Sequence, residues 1–254
     1  MSPFLFPRLN HQLLMGCLAT LYFCGLAPSA EAQSSAETSA ALPQADAVFV
    51  PPTGDRQSDS SAGGTRRLVQ RCRQDPPERL GLTALAPENY VGLTVQEQPV
   101  VFVYVPETSA QQLYVSLKAL DGEERYEEIV SLQTSSAVMA LRLPLEQEQL
   151  PQEQTYRWGV GLLCASGQTD MPWDYGYIRR VEGEATLPSE VSAERLRALG
   201  AQGLWYDTVA TVMQAHQRPQ LQGQTVFQKA WVQLLSWAEL EHFPSQLPLL
   251  DVEW

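Results

Sequence analysis

Five apolar residues at every second position of one short stretch constrain the fold of this chain most strongly. They are Tyr156, Trp158, Val160, Leu162 and Cys164. Because successive side chains of a β-strand point to opposite faces, this spacing places all five on one face, which we predict to be buried. The chain is therefore expected to build its core from β-strands.

Similar short apolar runs precede this stretch. Residues 100–105 are continuously apolar and lie between Pro99 and Pro106, as expected of a buried strand that ends at both prolines. Apolar residues alternate again over 139–143. These runs predict further strands of the same sheet system.

A tight turn is predicted at Asp121 and Gly122, because Asp-Gly favours the connection of two antiparallel strands. The turn follows the alternating run 113–117 and precedes a partner strand at about 126–132. Strands recur at short spacing without a helical pattern between them. We therefore predict an antiparallel β-sandwich-like domain over residues 68–186.

The hydrophobic period changes from two to about 3.6 in the segment 187–250, which predicts helices. One helix is expected to begin at Pro188 and Ser189, and two longer ones cover 205–216 and 227–238. The two longer helices form a C-terminal hairpin whose apolar faces need a partner, and we expect them to pack on the β-domain. The predicted fold class is α+β.

The first 32 residues have the features of a signal peptide. Arg8 precedes an uncharged apolar run at 13–27, and residues 30–32 form an A-x-A cleavage pattern before Gln33. A membrane span needs about 20 apolar residues, and this run is shorter. We predict export to the periplasm, the cell envelope or the medium, with no membrane span after cleavage.

Two alternatives to cleavage at Gln33 stay open. Residues 14–17 loosely resemble a lipoprotein cleavage box, although the apolar run continues beyond Cys17. The apolar run at 13–27 would also serve as an uncleaved anchor if it were slightly extended.

The following stretch, 33–67, is rich in small and polar residues and is predicted to be a disordered linker.

The cysteine count of the mature chain predicts one disulfide. Cys17 and Cys24 lie in the signal segment, which leaves Cys72 and Cys164. An even count in an exported chain favours pairing, and the bridge would contribute about 4 kcal/mol. The alternative is two separate buried thiols. No histidine lies near either cysteine in the sequence, so no metal site is predicted.

The net charge of −12 argues against a nucleic-acid partner. Removal of residues 1–32 takes away Arg8 and Glu31 together, so the mature chain keeps this charge. A chain this acidic lacks the basic surface that nucleic acid requires. Acidic surface charge also gives no reason to expect binding to anionic lipid. A protein or a glycan is the remaining kind of partner.

No catalytic set emerges from the sequence. The mature chain has two histidines, His216 and His242, and neither a G-x-S-x-G motif nor an H-E-x-x-H motif occurs. The acidic cluster at 121–128 is interpreted as a solvated turn, because a glycosidase needs two placed carboxyl groups rather than many adjacent ones. We predict no catalytic residue and no cofactor.

Three aromatic residues between Cys164 and the next strand are the candidate ligand-binding residues. Trp173, Tyr175 and Tyr177 alternate with other residues, and flat aromatic rings in a loop suit stacking against sugars. The alternative is that the alternation marks the start of a strand and that the rings belong to the core.

Six blocks along residues 65–245 together resemble the family known as domain of unknown function 928. The blocks are 82–89 (LTALAPEN), 92–106 (GLTVQEQPVVFVYVP), 156–164 (YRWGVGLLC), 176–182 (GYIRRVE), 204–212 (LWYDTVATV) and 231–240. This resemblance implies an exported cyanobacterial protein. It implies no activity, and it carries over no catalytic residue.

These observations support a non-catalytic envelope or secreted interaction protein as the leading hypothesis. The alternative is a glycan-binding or glycan-cleaving module that uses the aromatic loop. A third interpretation treats the helical hairpin as a solenoid fragment that docks on a partner protein. Exposed indole rings at Trp205 or Trp231 would favour this third interpretation.

Overall fold

The computed structural model of this chain describes only part of its 254 residues. The described residues are 48–52, 71–76, 80–122, 125–132, 136–143, 149–164, 171–183, 188–218, 220–241, 243 and 249–250. The predicted signal peptide and most of the predicted linker lie outside them.

Nine strands and three helices occur within the described residues. The strands are β1 (Thr83–Ala84), β2 (Gly92–Thr94), β3 (Val100–Val105), β4 (Gln112–Ala119), β5 (Arg125–Ser131), β6 (Ala137–Arg142), β7 (Thr155–Leu162), β8 (Trp173–Arg180) and β9 (Leu249–Leu250). The helices are α1 (Ala193–Ala201), α2 (Trp205–His216) and α3 (Gln224–Trp237).

The strands form two sheets, with the orders β1-β3-β6-β9 and β2-β8-β7-β4-β5. Neighbouring strands are antiparallel except in the pairs β2–β8 and β6–β9, which are parallel. The predicted α+β class with sandwich-like sheets is confirmed. The two parallel pairs were not predicted, because each joins a very short strand to a distant part of the chain.

The face predicted to be buried on β7 forms the centre of the core. Tyr156, Trp158, Val160 and Leu162 have no measurable exposure. Each such large side chain contributes about 1.5–3 kcal/mol to the free energy of folding through burial. The predicted hairpin is also present, because β4 and β5 pair antiparallel on either side of the Asp121–Gly122 connection.

A buried carboxylate connects the two sheets. Asp174, on the inner face of β8, accepts a hydrogen bond of 2.7 Å from the backbone N–H of Ala84 in β1. The sheets approach closely beside it, since a Cβ atom at Gly176 would lie 2.4 Å from the Cβ of Ala86. The glycine permits this close approach, and the carboxylate satisfies a backbone donor there.

Helix α2 packs against the sandwich, as predicted for the helical segment. Its Tyr206 ring lies over Gly92, where a Cβ atom would come within 2.5 Å of the ring. The Tyr206 hydroxyl accepts a hydrogen bond of 2.7 Å from the Trp158 indole and donates one of 2.8 Å to the carbonyl of Tyr177. These bonds tie the helix to β7 and β8.

The first helix begins later than predicted. Helix α1 starts at Ala193, and the side chain of Ser192 caps it by accepting a hydrogen bond of 3.1 Å from the N–H of Arg195. Ser189 therefore does not start the helix. A serine before the first helical residue satisfies a backbone donor that has no partner within the helix.

Residues 48–52 pack on the fold, although they fall inside the stretch predicted as a linker. Phe49 is only 1% exposed and meets Trp205 edge to face at 5.3 Å. The N–H groups of Val48 and Val50 donate hydrogen bonds to the Gln233 side chain and the Gly200 carbonyl. At these residues the linker prediction is wrong, because a short apolar patch packs on an apolar surface formed by helices that are distant in the sequence.

The predicted disulfide joins Cys72 to Cys164, with their Cα atoms 5.6 Å apart. Asp75 supports this bridge by accepting four hydrogen bonds, from the backbone N–H groups of Cys72 and Ser109 and from the hydroxyls of Thr108 and Ser109. The bridge fixes the segment before β1 to the end of β7.

Candidate functional site

The three aromatic residues singled out in the sequence lie on a strand and not in a loop. Trp173, Tyr175 and Tyr177 belong to β8, and their alternation is the two-residue period of that strand. Their side chains point to the outer face of the five-stranded sheet, because the residues between them, including Asp174 and Gly176, face the core. The loop prediction is therefore wrong at all three positions.

These rings and two neighbouring side chains make up a surface that we call the aromatic face. Its residues are Tyr114, Arg157, Trp173, Tyr175 and Tyr177. They come from three adjacent strands, and strand register places Arg157 beside Tyr177 and Gly161 beside both Tyr114 and Trp173. Tyr177 is buried, whereas Trp173 and Tyr175 are half-buried.

Two glycines of β7 form the floor under Trp173. A Cβ atom at Gly159 would lie 2.2 Å from Cζ2 of the indole, and one at Gly161 would lie 2.9 Å from its Cε3. The indole therefore lies across the backbone of β7. A larger residue at Gly159 would push the ring away from the strand, and one at Gly161 would also displace the side chain of Met171, whose Sδ would lie 2.6 Å from the added Cβ.

The other rings are held by aromatic and cationic contacts. Tyr175 and Tyr177 meet edge to face, with ring centroids 5.7 Å apart. The guanidinium of Arg157 lies 5.5 Å from the centroid of the Tyr175 ring, a cation–π distance. Tyr114 lies 5.9 Å from Trp173, with the planes tilted by 40°. The rings are thus positioned before any ligand arrives.

A polar cluster lies at the edge of the aromatic face. The Tyr114 hydroxyl donates a hydrogen bond to Glu127, and Arg125 forms a salt bridge with the same carboxylate. The pKa of Tyr114 is raised, by burial and by this hydrogen bond to Glu127. The pKa of Glu127 is lowered, first by the bond from Tyr114. Glu127 is therefore ionised and already engaged.

The carboxyl groups near the aromatic face do not form a catalytic pair. Glu127 lies on this face, but Asp174 points into the core and bonds the N–H groups of Ala84 and Tyr175. An acid and base pair must both reach one substrate. His216 is exposed at the end of α2. The described residues contain no group of three metal-ligating side chains.

Sequence reasoning missed Tyr114, Arg157 and the two glycines of β7. Each lies on a strand that was predicted, at positions that alternate with predicted core residues. The missing information was the register between β4, β7 and β8, which decides which outward residues become neighbours. The pair Gly159 and Gly161 within a strand was the available signal, because such glycines mark close approach of another group.

The third interpretation, docking through the helical hairpin, finds no support at Trp205. This indole is 1% exposed and donates a hydrogen bond of 3.2 Å to the Leu85 carbonyl. Trp231 is half-buried and packs against Phe243, whereas Trp237 of α3 is 46% exposed. The large rings of α2 therefore serve the core of the domain.

Comparison with known proteins places the chain in a family. No curated protein matches it significantly. Within the part of the chain that the structure describes, no helix has the length and apolar character needed to cross a membrane. The family model described as Domain of Unknown Function (DUF928) matches residues 61–247, which is most of the chain. This protein therefore belongs to the DUF928 family.

Proposed function

We propose that this chain is an exported, non-catalytic interaction protein that binds a glycan through its aromatic face. The observation that carries the proposal is the indole of Trp173, which lies across Gly159 and Gly161 with Tyr114 and Tyr175 beside it. A strand interior seldom contains two glycines, since each weakens the strand. Their presence under one half-buried ring supports a role for that ring at the surface.

The chemistry of the aromatic face suits a carbohydrate. Tryptophan and tyrosine offer large rigid contact areas at low entropic cost, and the apolar C–H faces of a sugar ring pack on such surfaces. The hydroxyl groups around the sugar need polar partners at the rim. Exposed Lys118, Arg157 and Glu127 lie on the same outer face and supply donors and acceptors.

The same geometry supports binding rather than cleavage. Hydrolysis of a glycosidic bond uses two carboxyl groups on opposite sides of the bond, roughly 5–9 Å apart. On the described strands of this face, Glu127 is the acidic residue, and Tyr114 and Arg125 already hold it. A sugar on the Trp173 ring would therefore meet no acid and base pair from these strands.

The test is polysaccharide binding by the mature protein and by a Trp173→Ala variant. Retention on insoluble cellulose, chitin and peptidoglycan, and migration in gels that contain soluble polysaccharides, would be measured. Loss of one stacked ring costs about 1–3 kcal/mol in comparable aromatic stacking, so affinity should fall roughly fivefold or more.

Trp237→Ala is the matched control, because it removes a ring of the same size from α3, where the indole is 46% exposed. This variant should bind like the unaltered protein. Circular dichroism and thermal unfolding would verify that both variants fold. Equal binding by Trp173→Ala and the unaltered protein would refute the role of the aromatic face. The absence of binding to every polysaccharide tested would refute the glycan proposal.

A further inference from the structure

A second concave site lies away from the aromatic face, between helices α1 and α2 and the segment that joins β2 to β3. It is a cavity of about 200 Å³. Its polar lining includes Gln96, Gln98, Arg142, Arg195, Asp207 and Gln214. Drug-sized ligands occupy pockets of about 300–1,000 Å³, so this cavity suits a smaller molecule.

Asp207 is the unusual residue of this cavity. Its side chain is 3% exposed, and its Oδ2 accepts a hydrogen bond of 3.2 Å from the backbone N–H of Val95. Its Oδ1 is buried and accepts no hydrogen bond from any described residue. A buried carboxylate oxygen without a donor costs about 1–3 kcal/mol or more.

Burial raises the pKa of Asp207, although polar groups of Thr94 and Gln96, the N–H of Val95 and the positive charge of Arg195 oppose this effect. The carboxyl group thus lies in a site that penalises its charge. A ligand that donates a hydrogen bond to Oδ1 would remove part of this penalty. The ionised carboxyl group of Asp207 is therefore more stable when such a ligand is bound than when the cavity is empty.

Two guanidinium groups, of Arg142 and Arg195, line the same cavity. Neither forms a salt bridge with another residue that the structure describes. Together with the single carboxyl group of Asp207 they leave the lining with an excess of positive charge. The amides of Gln96, Gln98 and Gln214 add both donors and acceptors. The complement of this lining is a small anion rich in hydroxyl groups.

We propose that this cavity binds a small sugar acid, with its carboxylate toward Arg142 and Arg195 and a hydroxyl group donating to Oδ1 of Asp207. A zwitterionic amino acid would leave the excess positive charge uncompensated. A phosphate dianion would offer no donor to Asp207 while ionised, and would repel it. The site is separate from the aromatic face and does not depend on the glycan proposal.

Calorimetric titration of the mature protein with D-galacturonate and D-glucuronate tests this site, with D-galactose and D-glucose as matched neutral sugars. At least one of the acids should bind, and the neutral sugar of the same ring should bind at least roughly tenfold more weakly, because it lacks the charge-assisted bonds to arginine. Binding of neither acid, or equal binding of acid and neutral sugar, would overturn the proposal.

Variants of the two arginines test the orientation of the ligand. Arg142→Gln and Arg195→Gln should each weaken binding of the acid roughly tenfold. Arg197→Gln is the control, because Arg197 is exposed on the same helix as Arg195 and does not line the cavity. Equal affinities for all three variants would overturn the assignment.

Asp207→Asn separates a binding role from a structural one. If Asp207 serves the ligand, this variant should weaken binding of the acid while the melting temperature of the free protein stays the same or rises, since a costly buried charge is gone. If Asp207 serves only to accept the hydrogen bond from the backbone N–H of Val95, the melting temperature should fall while the affinity for the acid stays unchanged. That second result would refute the site.

Discussion

The side chain of Asp75 holds the segment before β1 in place. Its carboxylate accepts four hydrogen bonds from Cys72, Thr108 and Ser109. We predict that Asp75→Ala lowers the free energy of unfolding by about 1–3 kcal/mol, because it leaves buried donors without a partner. Urea unfolding at neutral pH measures this loss. Asp121→Ala, at an exposed position, should leave the free energy of unfolding almost unchanged.

The contribution of Asp75 also depends on pH. Burial alone would raise the pKa of this carboxyl group, but the hydrogen bonds from Ser109, Thr108 and Cys72 outweigh burial and lower it. A lowered pKa in the folded state stabilises the protein above the unfolded value of about 3.9, and this stabilisation is lost as the pH falls through the folded pKa. The stability difference between the unaltered protein and Asp75→Ala should therefore shrink below about pH 4. A difference that stayed constant with pH would contradict this assignment.

Gly159 shows how the absence of a side chain positions the ring of Trp173. A methyl group there would meet the Trp173 indole at 2.2 Å. We predict that Gly159→Ala lowers the free energy of unfolding by about 1–3 kcal/mol and shifts the tryptophan fluorescence, since the ring must move. In a Trp173→Ala background the same change should cost little. Additive losses in the double variant would show that the two residues do not interact.

Residues 48–52 form a short segment that packs on the helices. Phe49 fills a site between Tyr90 and Trp205, whereas Val50 is 49% exposed. We predict that Phe49→Ala costs about 3–5 kcal/mol of stability through the cavity that it leaves. Val50→Ala should change stability by no more than about 0.5 kcal/mol. Thermal and urea unfolding of both variants compare the two effects, and equal losses would contradict a specific role for Phe49.

Elements with a strong local period were predictable, and elements without one were not. The inner face of β7 and the β4–β5 hairpin follow from alternation and from the Asp121–Gly122 turn. By contrast, β2 has three residues and pairs in parallel with β8, more than 80 positions away. Such a short strand has no period of its own. Only tertiary contacts with the helices and sheets define it.

The candidate site was likewise predictable only where a local sequence pattern marked its residues. Local pattern identified Trp173, Tyr175 and Tyr177, yet it did not decide which face they occupy or what lies beneath them. That outcome depends on the register of three strands and on two glycines in β7. Asp207 left only a weak signal, a single acid in an otherwise largely apolar stretch. Its burial follows from how α2 docks on the sandwich, which the sequence alone does not reveal.

The disulfide joins two segments that lie far apart in the sequence. Cys72 and Cys164 are 92 residues apart, and the chain-entropy model assigns about 4–5 kcal/mol to closing a loop of that length. We predict that the Cys72→Ser, Cys164→Ser double variant loses stability of this order. Urea unfolding with and without reductant measures the loss. If reductant destabilised the double variant as much as the unaltered protein, the effect of reductant would not come from this disulfide.

The disulfide supports the proposed export, because cysteine pairs persist in oxidising compartments and are rare in the cytoplasm. We predict that the protein recovered from its native host outside the cytoplasm begins at Gln33 and is lighter by two hydrogen atoms until it is reduced. Intact-mass measurement with and without reduction tests both features, and alkylation counts the thiols. The net charge stays at −12 after cleavage, since Arg8 and Glu31 leave together. A mass that retains Met1 with free thiols at Cys72 and Cys164 would contradict export and would direct the search for partners to the cytoplasm or to a membrane-tethered form.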